Sequence, residues 1–209
     1  MKIIGINGSP RADGNSARML EAALQGAREN GAEVERFDLR ALDFSGCISC
    51  FACKELGGES FGRCGHRDEL TPVLDKILEA DALILATPVY FESTPGMVRN
   101  FFERLWFPAQ QYAKNYASAY KKRIRVGLIF TMNLPSEDAY KDLIRNHRQL
   151  CTMLLGKTTV VTAVDTMQFD DYSKYASEIF DGNAKELHHE TVFPKDCEKA
   201  YEMAKRLCG

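Results

Sequence analysis

The chain has 209 residues, of which 45% are apolar, and 27 lysine and arginine residues nearly balance 29 aspartate and glutamate residues. This length suits one hydrophobic core, so we expect a single domain over residues 1–209. The net charge of −2 provides no basic surface for nucleic acid. The apolar runs are too short to span a membrane, and the first residues lack the pattern of a signal peptide. We therefore expect a cytoplasmic protein that binds neither nucleic acid nor membranes.

The most informative stretch is an apolar strand at 2–7 that leads through a loop of small and hydroxyl residues into a helix at 16–30. Unpaired N–H groups and the positive end of the dipole at such a helix N-terminus favour a phosphate. The loop has neither the Walker A pattern nor the glycine fingerprint of a dinucleotide site. We predict that it binds one terminal phosphate through side-chain donors, namely Ser9, Arg11, Asn15 and Ser16. The alternative is an ordinary turn in which Asn15 caps the helix.

Strands and helices alternate through the rest of the chain. Strands are predicted at 33–38, 81–87, 124–131 and 158–164, and helices at 71–80, 95–107, 136–155 and 195–208. The pattern predicts a doubly wound α/β domain with five parallel strands in the order 2-1-3-4-5 and helices on both faces. In that order a cofactor lies at the carboxyl ends of strands one and three. Thr71 and Thr94, each followed by a proline, are predicted helix N-caps.

Two segments, 40–68 and 165–193, are longer than ordinary loops, and such length is typical of functional loops. The first contains four of the seven cysteines, which in a chain of this composition favours metal or redox use over disulfides. In the second, Asp165 and the pair His188-His189 are predicted to be solvated.

The segment that follows strand three, Thr87-Pro88-Val89-Tyr90-Phe91, lies at the same sheet edge as the first loop in the predicted order. Proline stiffens the segment, its backbone groups can pair with the edge of a flavin, and its aromatic side chains can cover the ring. Together with Ser9-Pro-Arg-x-x-Gly-Asn-Ser16, this segment resembles the NADPH-dependent FMN reductase family, which has a flavodoxin-like fold. Residues 1–110 carry the resemblance.

The resemblance implies how FMN is held. Ser9, Arg11, Asn15 and Ser16 correspond to residues that bind the phosphate and the ribityl chain. The isoalloxazine ring then lies along Pro88, Val89, Tyr90 and Phe91. A third flavin loop follows strand four and corresponds here to Thr131, Met132 and Asn133.

Cys47, Cys50 and Cys53 have the C-x₂-C-x₂-C spacing of three ligands to a [4Fe–4S] cluster, and Cys64 is a candidate for the fourth. With this motif the chain resembles, more narrowly, the iron–sulfur flavoproteins, in which the fourth cysteine follows sooner. Four thiolates would also suit zinc. Structural or redox-active free thiols are the third interpretation.

The motifs predict an FMN-dependent oxidoreductase in which the cofactor carries the chemistry, so we assign no protein acid or base as catalytic. The resemblance implies NAD(P)H as co-substrate, and the sequence does not identify the electron acceptor. The alternative is a non-enzymatic electron-carrier module that a partner protein, such as a ferredoxin-type donor, reduces. A nucleotide-binding module without redox work is a third hypothesis.

The predicted helix at 95–107 carries a stripe of large apolar side chains, which comprises Met97, Val98, Phe101, Phe102, Leu105 and Trp106. Core packing and a subunit interface both account for such a stripe. We predict a homodimer or homotetramer in which Phe101 and Phe102 contribute to the contact between subunits.

Overall fold

The computed structural model describes residues 1–112 and 118–209. Its centre is a five-stranded parallel sheet with the order β2-β1-β3-β4-β5. The strands are β1 (Lys2–Asn7), β2 (Glu33–Asp38), β3 (Ala82–Pro88), β4 (Arg125–Thr131) and β5 (Thr158–Ala163). The predicted strand order is confirmed, and every predicted strand boundary agrees to within one residue.

Helices cover both faces of the sheet. They are α1 (Asn15–Glu29), α2 (Leu70–Glu79), α3 (Gly96–Ala109), α4 (Lys141–Leu154), α5 (Gly182–Thr191) and α6 (Phe193–Cys208). The apolar sides of α1 and α6 pack together over one face, and those of α2, α3 and α4 pack over the other. Within the described residues, no helix is long and apolar enough to cross a membrane.

Helix α5 lies inside the segment 165–193, where the sequence pattern predicts only a loop. Its apolar residues do not form a clear stripe, so periodicity does not reveal it. The helix is instead started by Asp181, whose carboxylate accepts hydrogen bonds from the N–H groups of Asn183 and Ala184. His188 and His189 therefore belong to the last turn of a helix.

The two predicted threonine N-caps are wrong. Helix α2 begins at Leu70, whose N–H donates to the carboxylate of Asp68, and Thr71 already lies in the first turn. Helix α3 begins after Pro95, and Thr94 Oγ1 is buried without a hydrogen-bond partner among the described residues. Neither proline is the first residue of its helix as predicted, because Pro72 is the third residue of α2 and Pro95 precedes α3.

The apolar stripe of α3 is core packing within one chain. Phe101 is fully buried and Phe102 is 1% exposed. Phe102 stacks on Trp106 with ring centroids 4.1 Å apart and contacts the buried His147 of α4 edge-on. The prediction that Phe101 and Phe102 contribute to a subunit contact is therefore wrong, because neither side chain reaches the surface. The homodimer or homotetramer stays a prediction that this stripe does not support.

Candidate functional site

A cleft of about 150 Å³ lies where β1, β3 and β4 end, and residues beyond β5 form its far wall. It is lined by Ser9, Arg11, Gly14, Asn15, Ser16, Pro88, Val89, Tyr90, Thr131, Met132, Asn133, Thr166, Met167 and Gln168. The structure thus brings together ten of the eleven residues predicted to contact the cofactor, the exception being Phe91. The carboxyl ends of adjacent parallel strands meet at one edge of the sheet, and this explains why distant loops share the cleft.

The first loop is held by Asn7, a fully buried residue that the sequence motif does not single out. Asn7 Oδ1 accepts a hydrogen bond of 3.1 Å from the backbone N–H of Ser9, and its amide group donates to the carbonyl of Arg11. Gly8 lets the loop pass close to α3 and β3, because a β-carbon there would lie 2.4 Å from the side chain of Val98 and 3.1 Å from the carbonyl oxygen of Ala86. These contacts hold the first loop against the end of β1 and against α3.

The N-terminus of α1 is open toward the cleft. The helix follows Gly14, and in the described structure neither a side-chain cap nor an acidic residue satisfies its first turn. Its first N–H groups and its dipole are therefore available to an anion. The alternative in which Asn15 caps the helix is wrong, because the Asn15 amide donates instead to the carbonyl of Met167 at 2.7 Å.

The second and third loops are tied to each other and to α1. The N–H of Val89 donates to the carbonyl of Thr131 at 2.9 Å. The hydroxyl groups of Thr131 and Ser16 share a buried hydrogen bond of 2.7 Å. Three segments that lie far apart in the sequence thus form one connected wall, in which the spacing between the loops is set by hydrogen bonds.

Phe91 does not line the cleft, because it lies at the tip of a tight turn and its side chain is fully exposed. Tyr90 and Ser93 close the turn by exchanging two backbone hydrogen bonds of 2.8 and 2.9 Å. Phe91 and Glu92 both have positive φ angles, of 48° and 59°. Such backbone is strained for these residue types and is normally occupied by asparagine or glycine.

We expect Phe91→Asn to raise the free energy of unfolding by roughly 1 kcal/mol, because asparagine adopts a positive φ more readily and an exposed phenyl ring loses no packing. Urea denaturation measures this change. Glu92→Gln, in the same turn, relieves no strain and is expected to match the parent protein. A Phe91→Asn protein less stable than the parent would show that the phenyl ring makes a contact we have not recognised.

The far wall of the cleft comes from the segment after β5, which the sequence motifs do not identify. Its only signal in the sequence is the length of the 165–193 segment. Thr166 donates its hydroxyl to the carbonyl of Met132, and the carbonyl of Gln168 accepts from Arg11 Nη1 at 2.7 Å. Two of the predicted phosphate ligands, Arg11 and Asn15, are therefore also the residues that hold this wall in place.

Asp165 and His189 are half-buried and have side-chain partners, whereas the sequence predicts freely solvated groups. Asp165 Oδ1 lies 2.5 Å from Nζ of Lys185, a buried residue of α5. His189 stacks on Phe193 and shares a 3.3 Å hydrogen bond with Arg18. Burial and the neighbouring guanidinium of Arg18 lower the pKa of His189, which favours the neutral ring.

The cysteine segment forms a second pocket, separate from the cleft. Cys47, Cys50, Cys53 and Cys64 all line one small pocket of about 10 Å³ against α3. All seven cysteines of the chain lie within the described residues and are free thiols. Burial raises the pKa of the Cys53 thiol. No three cysteine, histidine, aspartate or glutamate side chains of the described residues are placed to hold a metal ion.

Arg104 organises this segment, although the sequence pattern gives no sign of it. Its side chain is completely buried, and its guanidinium makes a bidentate pair with Asp68 at 2.6 and 3.0 Å. It also donates to Cys64 Sγ at 2.9 Å and to the carbonyls of Ser45 and His66. Burial alone would raise the pKa of Asp68, but hydrogen bonds from Arg104 and Ser45 outweigh it and leave the pKa below its usual value.

Residues 1–126 match the family described as NADPH-dependent FMN reductase. The chain belongs to this family. The match contains the first loop, the cysteine segment and the loop after β3, and it ends before the wall formed by residues 166–168. Membership thus agrees with the resemblance carried by the two flavin motifs.

Curated relatives of this FMN reductase family member include two iron–sulfur flavoproteins. The one from Methanocaldococcus jannaschii is 38% identical over 104 residues, which are 50% of this chain and 51% of that protein. The one from Methanosarcina thermophila is 34% identical over 104 residues, 50% of this chain and 52% of that protein. The chain therefore spans about half the length of the curated relatives it matches.

Solved structures show the fold over the whole chain. The FMN-dependent NADH-azoreductase from Bacillus anthracis, in complex with FMN, has a TM-score of 0.68 at 16% identity and full coverage of both chains. The NAD(P)H:quinone oxidoreductase from Methanothermobacter marburgensis has a TM-score of 0.68 at 17% identity, with 99% and 98% of the two chains covered. At these identities the likeness concerns the fold, and the predicted flavodoxin-like fold is confirmed.

Proposed function

We propose that this protein is an FMN-dependent oxidoreductase that accepts electrons from a nicotinamide cofactor. The observation that carries the proposal is the open N-terminus of α1 in a cleft shared by three loops. One end of the cleft offers donors from Ser9, Arg11 and Ser16, as a phosphate requires. The other end offers proline, aromatic and methionine side chains, as a planar ring requires.

The lining of the cleft also favours a cofactor-based reaction. Among the described residues that line it there is no carboxylate, histidine, lysine or cysteine. Apart from the phenol of Tyr90, the described lining offers none of the usual general acids or bases, and this favours chemistry carried by a bound group. When bound, FMN supplies reversible transfer of a hydride or of electrons. The protein's own residues then bind the phosphate, orient the ring and limit the access of water.

The proposal of NAD(P)H as electron donor is supported by the family, whose description names NADPH, and by the fold. An NADH-azoreductase and an NAD(P)H:quinone oxidoreductase share the fold of the whole chain. We leave the electron acceptor open. A carrier module reduced by a ferredoxin-type protein remains the alternative outcome of the test.

We further propose that Cys47, Cys50, Cys53 and Cys64 hold a [4Fe–4S] cluster. Two observations support this: all four thiols line one pocket, and several curated relatives are iron–sulfur flavoproteins. The N–H donor of Arg104 at Cys64 Sγ suits a ligand thiolate. The pocket of about 10 Å³ must widen to accept a cluster. Zinc is the weaker candidate, because a single ion needs its thiolates much closer together.

One anaerobic preparation tests both proposals. We expect bound FMN, about four irons per chain as cubane ligation implies, and bleaching of the flavin absorbance by NADPH or NADH without a partner protein. Reduction only by a ferredoxin-type donor would favour the carrier, and colourless protein that takes up no FMN would contradict flavin chemistry altogether.

A matched pair of variants tests the cluster. Cys50→Ala is expected to remove the iron and leave FMN bound. Cys197→Ala, on α6 and remote from the cysteine pocket, is expected to keep both. Iron-free parent protein with full reductase activity would contradict the cluster and leave the cysteines as structural or redox thiols.

A further inference from the structure

Lys185 is a buried cation close to the cleft, but its side chain is not part of the cleft wall. The residue is 4% exposed, and buried lysines are rare unless they are paired. Its ammonium group donates to Asp165 Oδ1 at 2.5 Å, to Asn133 Oδ1 at 2.6 Å and to the Asn133 carbonyl at 2.7 Å. All three N–H bonds of the lysine are therefore used, and two of them hold Asn133.

This lysine decides which way the Asn133 amide is turned. An ammonium group only donates, so it must meet the amide oxygen, and the amide nitrogen is directed away from it. That nitrogen donates to Gln168 Oε1 at 3.0 Å. The Gln168 amide is turned in the same sense, with its oxygen toward Asn133 and its NH₂ group on the other side. Lys185 thus sets the polarity of two successive amides.

The backbone of Gln168 is anchored as well. Its N–H donates to the hydroxyl of Tyr172 at 3.0 Å, and its carbonyl accepts from Arg11 Nη1 at 2.7 Å. Gln168 lines the cleft, and its Nε2 has no acceptor among the described residues. Ordering an exposed glutamine costs side-chain entropy. That cost, at the wall of a cleft, points to a donor that is held ready for a ligand.

We propose that Gln168 is a further residue that binds the flavin nucleotide, through Nε2, and that Lys185 is the positioning residue that aims it. The inference rests on the proposed FMN site. The acceptor is an oxygen atom of the nucleotide, on the phosphate, the ribityl chain or the ring. Both residues lie beyond residue 126, outside the family match, so neither role follows from membership.

Titration of the flavin-free protein with FMN and with riboflavin, followed by flavin fluorescence, tests the binding role. We expect Gln168→Leu to raise the Kd for FMN about tenfold, and Gln168→Glu to raise it further because it replaces donors with a negative charge. Gln25→Leu, an exposed glutamine on α1, is the control and is expected to leave the Kd unchanged. An effect on FMN alone places the donor at the phosphate, and an effect on both ligands places it at the ribityl chain or ring.

The positioning role is tested by non-additivity. Lys185→Met/Asp165→Asn removes the ion pair without leaving a buried charge and is expected to weaken FMN binding as much as Gln168→Leu does. Added to Gln168→Leu, it is expected to weaken binding no further. If the double substitution weakened FMN binding equally in the parent protein and in Gln168→Leu, its effect would be merely structural, and the positioning role of Lys185 would be overturned.

Two other outcomes separate the inference from the proposed function. If the parent binds FMN and Gln168→Leu keeps the Kd within twofold, the inference is overturned and the FMN site stands. If the parent takes up neither FMN nor riboflavin, both are overturned.

Discussion

Replacing Arg11 and Ser16 together with alanine is expected to weaken FMN binding by at least about a hundredfold. Each side chain lines the phosphate end of the cleft, and a hydrogen bond to a charged group contributes about 1.5–3 kcal/mol. Fluorescence titration of the flavin-free protein gives the Kd. Riboflavin, which lacks the phosphate, should bind the double variant and the parent with more similar affinity.

The controls for this prediction separate lost phosphate contacts from a disturbed cleft. Ser16 also bonds Thr131, and Arg11 also holds the carbonyl of Gln168. Thr131→Val removes the Ser16 contact while it keeps both phosphate donors, and we expect a much smaller effect. Arg28→Ala, at the opposite end of α1, should bind FMN as the parent does. A double variant that retains FMN as tightly as the parent would rule out this loop as the phosphate site.

Replacing Arg104 with leucine is expected to lower the free energy of unfolding by about 3–5 kcal/mol at neutral pH. The substitution leaves the Asp68 carboxylate, whose side chain is 15% exposed, without its bidentate partner. It also removes the donors to the carbonyls of Ser45 and His66, which hold the cysteine segment against α3. Urea denaturation measures the loss.

An exposed ion pair provides the comparison. Arg63→Leu breaks the ion pair between Arg63 and Asp75, whose side chains are 54% and 39% exposed. We expect it to lower the free energy of unfolding by less than about 1 kcal/mol. Because the pKa of Asp68 is depressed in the folded protein, the stability that this pair provides is present above about pH 4. This stability is lost as the pH falls through the pKa that Asp68 has in the folded protein. An Arg104→Leu protein as stable as Arg63→Leu would show that water replaces the buried pair.

The sheet and the first loop were accessible from the sequence because their signals are local. A strand in a parallel sheet is buried on both faces and reads as a continuous apolar run, as in β3 and β4. A strand followed by small and hydroxyl residues and then an amphipathic helix predicts an open helix N-terminus without any knowledge of the fold. The order of strands then brought the loops after β1, β3 and β4 to one edge.

The sequence did not reveal what the apolar stripe of α3 packs against, or which way the tip of the second loop turns its side chain. A large apolar side chain looks the same in a sequence whether it faces the core of its own chain or a second subunit, and only burial showed that Phe102 lies inside. Phe91 follows Tyr90 directly, yet the turn that contains it directs its side chain away from the cleft. Whether a residue next to a site belongs to it depends on backbone geometry that residue type alone does not specify.

The sequence by itself determined the five strands, the open helix N-terminus after β1 and the grouping of the cysteines, because each depends on residues within a short window. Only the tertiary structure decided how buried charges are matched. Arg104 meets Asp68 across 36 residues, and Lys185 meets Asn133 across 52. Burying a charge is costly unless a partner is present, and a partner brought from so far along the chain leaves no local pattern. The far wall of the cleft, with Gln168, depends on such a contact.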